Sequence, residues 1–207
     1  MALPPEPANW ISGNFVPSQS QMDQNAIKFA YEMARLGVSS YNAILGMLAN
    51  IDDESYINPG IWESLDPFGG GYGLVQWTPY TKYSEWAGSG WQDNGLKECE
   101  RIIYEAENGL QWFGNPYAYL IGKPTNPPIS LLEYLSDETT SPYDLADYWL
   151  LYYEHPAEIH LQSRHESNIL NVQHYNEVLG GEIPPVGGRF KWWLSKYQLQ
   201  RRRENVD

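Results

Sequence analysis

Only one cysteine, Cys99, stands among the 207 residues. That excludes an internal disulfide and any cysteine-built metal cage, and a lone thiol of this kind is expected as a small buried side chain. Long apolar runs are missing too. No stretch reaches the ~18 residues of a membrane helix. Nothing near Met1 joins a basic head to an apolar run, so no signal peptide is expected. Basic residues are scarce: 13 Lys and Arg stand against 26 Asp and Glu, for a net charge of −13. The deficit is uneven, with seven basic against twenty-three acidic residues in 1–180 and six against three in 181–207. An acidic body excludes broad nucleic-acid binding, which needs a basic surface to meet phosphates. Familiar catalytic patterns are absent as well. The four histidines, His155, His160, His165 and His174, do not fall on one helical face, and no HExxH accompanies them. Gly69 to Gly73 has no Lys-Ser/Thr after it, and no serine elbow is present. No metal and no cofactor is expected.

What the chain has in plenty is aromatic surface, with nine Trp and sixteen Tyr. Core packing accounts for part of it, and flat rings in a cleft that packs sugars account for the rest. The organising stretch runs from Ser39 to Pro79. Ser39 or Ser40 is a candidate N-cap, and Ala43, Ile44, Met47, Leu48 and Ile51 follow at helical spacing. That series continues onto Glu54 and Ser55, so a glutamate ends an apolar stripe. Poor solvation there should raise its pKa, as a general acid requires near neutral pH. Asn58-Pro59-Gly60 stops the helix. Gly69 to Gly73 then lets backbone approach a ligand closely, and Gln76-Trp77 offers an amide beside an aromatic face. An acid, a tight turn and an aromatic wall are the parts of a sugar-cleaving cleft.

The run GMLANIDDESYINPGIWESLDP, followed by YGLVQWTP, resembles the lysozyme domain carried on the tail knob of small phages of Gram-positive hosts. Glu54-Ser55 with Gly73-Leu74-Val75-Gln76 is similar, more distantly, to the E-S and G-L-x-Q motifs of lytic transglycosylases and goose-type lysozymes. LKECERIIYEAENGLQW and LADYWLLYYEHP extend the resemblance over roughly residues 25–180. It implies a mainly α, lysozyme-like domain with a small turn-rich or β-hairpin region as one wall of the cleft. It also implies a muramidase that cuts the glycan of peptidoglycan during genome entry. Such a protein would be made in the host cytoplasm, carried on the virion tail and would act on the host cell wall. The family's catalytic glutamate falls on Glu54. A partner carboxylate is sought among Asp66, Glu63, Asp53 and Asp52. Asp66 is preferred, in the turn facing Glu54, although it also suits a cap on the Asp-Pro turn. Asp52 and Asp53 point away along the helix and are expected to be solvated.

Gln76 and Trp77 match the family motif and Tyr72 is expected to line the same cleft. Tyr152, Tyr153 and Glu154 resemble the stretch that closes it, although Glu154 could equally pair with Arg164. Hydrolase and transglycosylase stay open, as do a free endolysin and a non-catalytic wall-binding tail module. In this family a metallopeptidase domain often follows; the chain ends at Asp207, so no peptide cleavage is expected of these residues.

Along the chain, residues 1–20 read as an N-terminal arm, a loose terminus more than an ordered one. Residues 21–180 read as the catalytic domain. Helices are expected at 21–36, from Ser40 to Glu54, at 96–112, at 131–135, from Ser141 and at 162–179, with irregular backbone or a hairpin between Pro59 and Gly90. Residues 181–188 read as a linker. Residues 189–207 form a basic amphipathic segment, with Phe190, Trp193, Leu194 and Tyr197 beside Lys191, Lys196 and Arg201 to Arg203. Docking onto other tail proteins, or folding back on the domain, would each suit it.

Overall fold

The computed structural model describes residues 3–68, 70–156 and 158–181. The linker beyond Gly181 and the basic segment 189–207 lie outside the described residues. The protein is mainly α. In chain order the helices are α1 (Gln19–Arg35), α2 (Tyr41–Ser55), α3 (Thr81–Ala87), α4 (Gly95–Glu107), a 3-10 turn (Ala118–Ile121), α5 (Leu131–Tyr134), α6 (Pro142–Trp149) continued by a π-helical turn (Leu150–Glu154), and α7 (Glu158–Val178).

The central helix forms as its spacing predicts. Ser40 caps it, its hydroxyl accepting from Ala43 N at 3.0 Å. Every residue from Ala43 to Asp52 is buried. Leu45, Met47, Leu48 and Ile51 pack with Trp149, Tyr134 and Tyr153 into one core. Each such side chain contributes about 1.5–3 kcal/mol relative to exposure. Helices α6 and α7 pack along α2 on its other side. There a small apolar cluster of Ala49, Ala146 and Val172 is joined by polar contacts. Asn50 Nδ2 donates to Gly46 O and Ala146 O at 2.9 and 3.0 Å, and Asn171 Nδ2 donates to Ala49 O at 2.9 Å.

Two expectations need correction here. Asp52 and Asp53 are not solvated: Asp52 is buried and accepts from Tyr175 OH at 2.9 Å, while Asp53 accepts from Ser167 Oγ at 2.9 Å. The cause is α7, which covers the side of α2 that the apolar stripe leaves free. The described part of the N-terminal arm, from Leu3 on, also lies on the domain. Trp10 packs against the core, and buried Asn25 clamps the arm through Ile11 N and Ile11 O, at 2.8 and 2.7 Å. Glu6 pairs with Lys28 and Arg35, which hold its carboxyl down at about 2.

Between α2 and α4 the backbone turns repeatedly. Among the described residues the hairpin is reduced to two antiparallel bridges, Trp62 with Tyr72 and Tyr72 with Trp77. Ring stacking holds this region in place of a strand ladder. Tyr83 of α3 stacks on Trp77 at 4.8 Å and on Tyr72 at 6.3 Å between centroids.

Candidate active site

Glu54 lies where α2 runs out of core. The next residue, Ser55, is fully buried, and its Oγ donates to Leu74 O at 2.8 Å. That bond ties the end of α2 to the Gly73–Gln76 turn. Tyr56 and Ile57 then adopt positive φ and the chain leaves the helix. One turn carries the acid and its neighbour fastens the facing loop, so Glu54 and Gln76 meet across a gap.

That gap is a cleft of about 470 Å³. From α2 it receives Asp53 and Glu54; from the turn, Val75 to Thr78 with Glu63; from α3, Lys82; and from the far side, Gln111, Tyr153 and Glu154. The Glu54 side chain keeps 22% of its exposure. Its surroundings are not only apolar, as the stripe suggested, because Arg164 of α7 lies beside it. Arg164 Nη1 is 2.6 Å from Glu54 Oε1, and its Nε is 3.4 Å from Asp53 Oδ2.

Glu154 is the second carboxyl of the cleft. Its Oε1 accepts from Trp149 Nε1 at 2.7 Å. Burial first, and then the negative charge of Glu54, push its carboxyl well above the usual range, against the opposing pull of Arg164 and of the Trp149 bond. The guanidinium pairs with Glu54 and Asp53, not with Glu154 as the sequence allowed.

The other expected site residues divide. Gln76, at positive φ, lines the cleft; its Nε2 donates to Gly73 O at 2.8 Å and Ile61 O at 3.3 Å, while its buried Oε1 has no hydrogen-bond partner among the described residues. Trp77 and Tyr153 line it too, each largely buried. Tyr72 does not. It is 1% exposed, its hydroxyl accepting from Asp93 N at 2.7 Å inside the aromatic cluster. Asp66 is exposed and is not among the cleft residues; on that stretch Glu63 is, with Oε2 accepting from Gly71 N at 2.9 Å.

Sequence reasoning missed three groups: Arg164, named only as a partner for Glu154, and the buried glutamates Glu98 and Glu105. Glu98 Oε2 accepts from Leu74 N at 2.6 Å, which pins the turn that carries Gln76. A carboxylate on the apolar side of the amphipathic helix α4 was the available signal for both.

The phage tail lysozyme family model matches residues 24–168. The chain belongs to the phage tail lysozyme family. Over 124 residues it is also 40% identical to Morphogenesis protein 1 of Bacillus phage B103, a match that covers 56% of this chain and 30% of that relative. The mainly helical, lysozyme-like fold agrees with that family. The Glu54 motif, the Gly73–Gln76 turn and Glu154 all fall inside the matched region. Among the described residues no helix is long and apolar enough to cross a membrane, and no cluster of three or more His, Cys, Asp or Glu is placed to hold a metal.

Proposed function

We propose that this protein is a virion-borne muramidase that opens the glycan of the host cell wall during genome entry, with Glu54 as proton donor. The observation that carries the reading is the meeting of Glu54, Gln76, Trp77, Tyr153 and Glu154 around one cleft, from segments up to a hundred residues apart. Glycoside cleavage needs a carboxyl to protonate the leaving oxygen and usually a second to stabilise or activate what attacks. Arg164 engages Glu54 Oε1 and so orients the side chain. Trp77 and Tyr153, largely buried, form part of the cleft's aromatic wall and fix its shape. Glu154, inside the cleft, suits the second carboxyl better than exposed Asp66. Docking onto other tail proteins through residues 189–207 belongs to the same proposal, supported by their basic amphipathic pattern.

The test is turnover of purified peptidoglycan. Glu54→Gln keeps the shape of the side chain and removes its proton, so release of reducing ends should fall by at least about a hundredfold. Cleavage at the wild-type rate would overturn the assignment. Anhydro-sugar products in the wild type would make the protein a lytic transglycosylase on the same glycan.

One observation favours a second reading of the same cleft. Burial raises the carboxyl of Glu154, and the guanidinium sits on Glu54. Glu154 would then donate the proton and Glu54 would be the second carboxyl. The pH profile of turnover decides between them. Under this second reading Glu154→Gln removes the alkaline limb of the profile and slows turnover as far as Glu54→Gln does. If Glu54 is the donor, Glu154→Gln keeps that limb at reduced height.

A further inference from the structure

Two cleft walls that come from distant parts of the chain meet behind the cleft on one buried group. Trp77, from the turn region, donates its Nε1 to Glu105 Oε1 at 3.1 Å. Tyr153, from the π-helical turn after α6, donates its hydroxyl to Glu105 Oε2. Glu105 itself sits on α4, is buried, and is not among the residues that line the cleft. Its two oxygens thus go one to each wall, and the carboxyl spans the space between the rings.

We propose that Glu105 is a positioning residue that sets the width of the glycan cleft by clamping Trp77 and Tyr153 at a fixed separation. This rests on the glycan-cleaving reading above.

The surroundings suit a clamp. A carboxylate accepts at both oxygens, and bonds to a charged acceptor are stronger and more directional than neutral ones. Arg101, one turn earlier on α4, supplies the counter-charge, its Nε donating to Glu105 Oε1 at 2.8 Å. Arg101 is in turn held over the rings of Trp86 and Tyr104, at 5.5 and 5.2 Å. Burial and the Glu105 charge raise the Tyr153 phenol well above its usual range, so it stays a donor. Tyr153 is also the link to the chemistry. Its ring stacks on Trp149 at 3.9 Å and 18°, and Trp149 Nε1 holds Glu154. Gln111 Nε2, on the cleft side, donates to Tyr153 O at 3.1 Å. Moving Tyr153 therefore moves one part of the cleft wall and the support of a cleft carboxyl together. Small displacements of this kind are costly in positioned sites.

Glu105→Gln keeps size and shape but leaves one acceptor oxygen where three donors, from Trp77, Tyr153 and Arg101, wait. On purified peptidoglycan we expect kcat/KM to fall roughly tenfold, with KM rising more than kcat falls, because Trp77 and Tyr153 shape the cleft wall and do not react. Coupling supplies the decisive readout. Tyr153→Phe and Trp77→Phe should each raise KM in the wild-type background and add much less in the Glu105→Gln background. An unchanged KM in Glu105→Gln, or fully additive effects, would overturn the clamp. If Glu105→Gln does not melt cooperatively, the two single variants carry the test, since each deletes a donor and keeps Glu105. A wild-type KM in both overturns it. Should the wild-type protein release no glycan product, the glycosidase reading fails by itself. Tryptophan-fluorescence titration with chito-oligosaccharide then tests the clamp: weaker binding by Glu105→Gln supports it and equal binding overturns it.

Discussion

Facing each other across the cleft are two walls made in different ways. The helical wall, α2 with α6 and α7, buries polar side chains and pairs them: Asn50 with Ala146 and Asn168, Asn171 with Ala49, Asp52 with Tyr175. The turn-rich wall, residues 58–94, packs rings together, mostly edge to face: Tyr72 meets Trp62, Tyr83 and Trp91, and Trp62 meets Trp91. The first wall places Glu54 by a rigid helix end; the second places Gln76 and Trp77 by an irregular backbone that would not hold its shape alone. Helix packing tolerates almost no added volume, whereas the turn region depends on a few anchors from α4, Glu98 and Glu105 above all. The two walls should therefore break differently.

The largest expected effect lies in the helical wall. Gly46 sits in the middle of α2, where glycine ordinarily costs about 1 kcal/mol relative to alanine. Here the sign should reverse. A Cβ at Gly46 would meet Tyr134 Oη at 2.6 Å, Ala146 N at 2.9 Å and Leu145 C at 3.0 Å, and two of these are backbone. Tyr134 cannot swing away freely because its hydroxyl donates to Ala43 O at 3.2 Å. Gly46→Ala should lower stability by about 2 kcal/mol in urea unfolding, with turnover per folded molecule reduced because α2 carries Glu54. A stabilised Gly46→Ala would mean that α2 and α6 can part, and the contrast between a rigid and an anchored wall would fall.

The same contrast explains what was legible in the sequence. Apolar spacing gave α2 its start, its buried face and the position of Glu54, because burial of a helix face leaves a period of 3.6 in the sequence. Polar contacts leave no period. Asp52 and Asp53 looked solvated because nothing local to α2 says that Tyr175, Ser167 and Arg164 come back to cover them from more than a hundred residues away. Helix α7 itself is polar along its length yet buries Ser167, Asn168 and Asn171, which only the packed partner reveals. In the turn region, glycine and proline content located the cleft wall, but composition does not say which ring lines the cleft. Tyr72 went to the core and Trp77 to the cleft, and Asp66 stayed outside, on the basis of backbone turns that no short motif encodes. Resemblance to a family supplied Glu54, Gln76 and Trp77 together; Glu98 and Glu105 stood within one of the matching runs, unread, since a glutamate on the inner side of α4 has meaning only once its partners are known.

A smaller effect sharpens the anchored side of the comparison. Glu98 is fully buried, with Oε2 accepting from Leu74 N at 2.6 Å and Oε1 without a hydrogen-bond partner among the described residues. Burial raises its carboxyl well above the ordinary 4.5, only partly offset by the Leu74 bond. In the unfolded chain the same group ionises near its ordinary value. Above that pH the native state binds more protons than the unfolded state, so stability must fall as pH rises from about 4.5 towards the raised native value. Each unit by which burial raises the group corresponds to about 1.4 kcal/mol. Glu98→Gln keeps the acceptor for Leu74 N and has no proton to lose. The variant should match the wild type in urea unfolding at pH 4 and become the more stable protein by pH 7, the gap widening between. Its turnover should persist, since the amide still pins the Gly73–Gln76 turn. Equal stability at both pH values would mean that Glu98 is not held protonated, and that the turn region is anchored by a charge and not by a neutral bond.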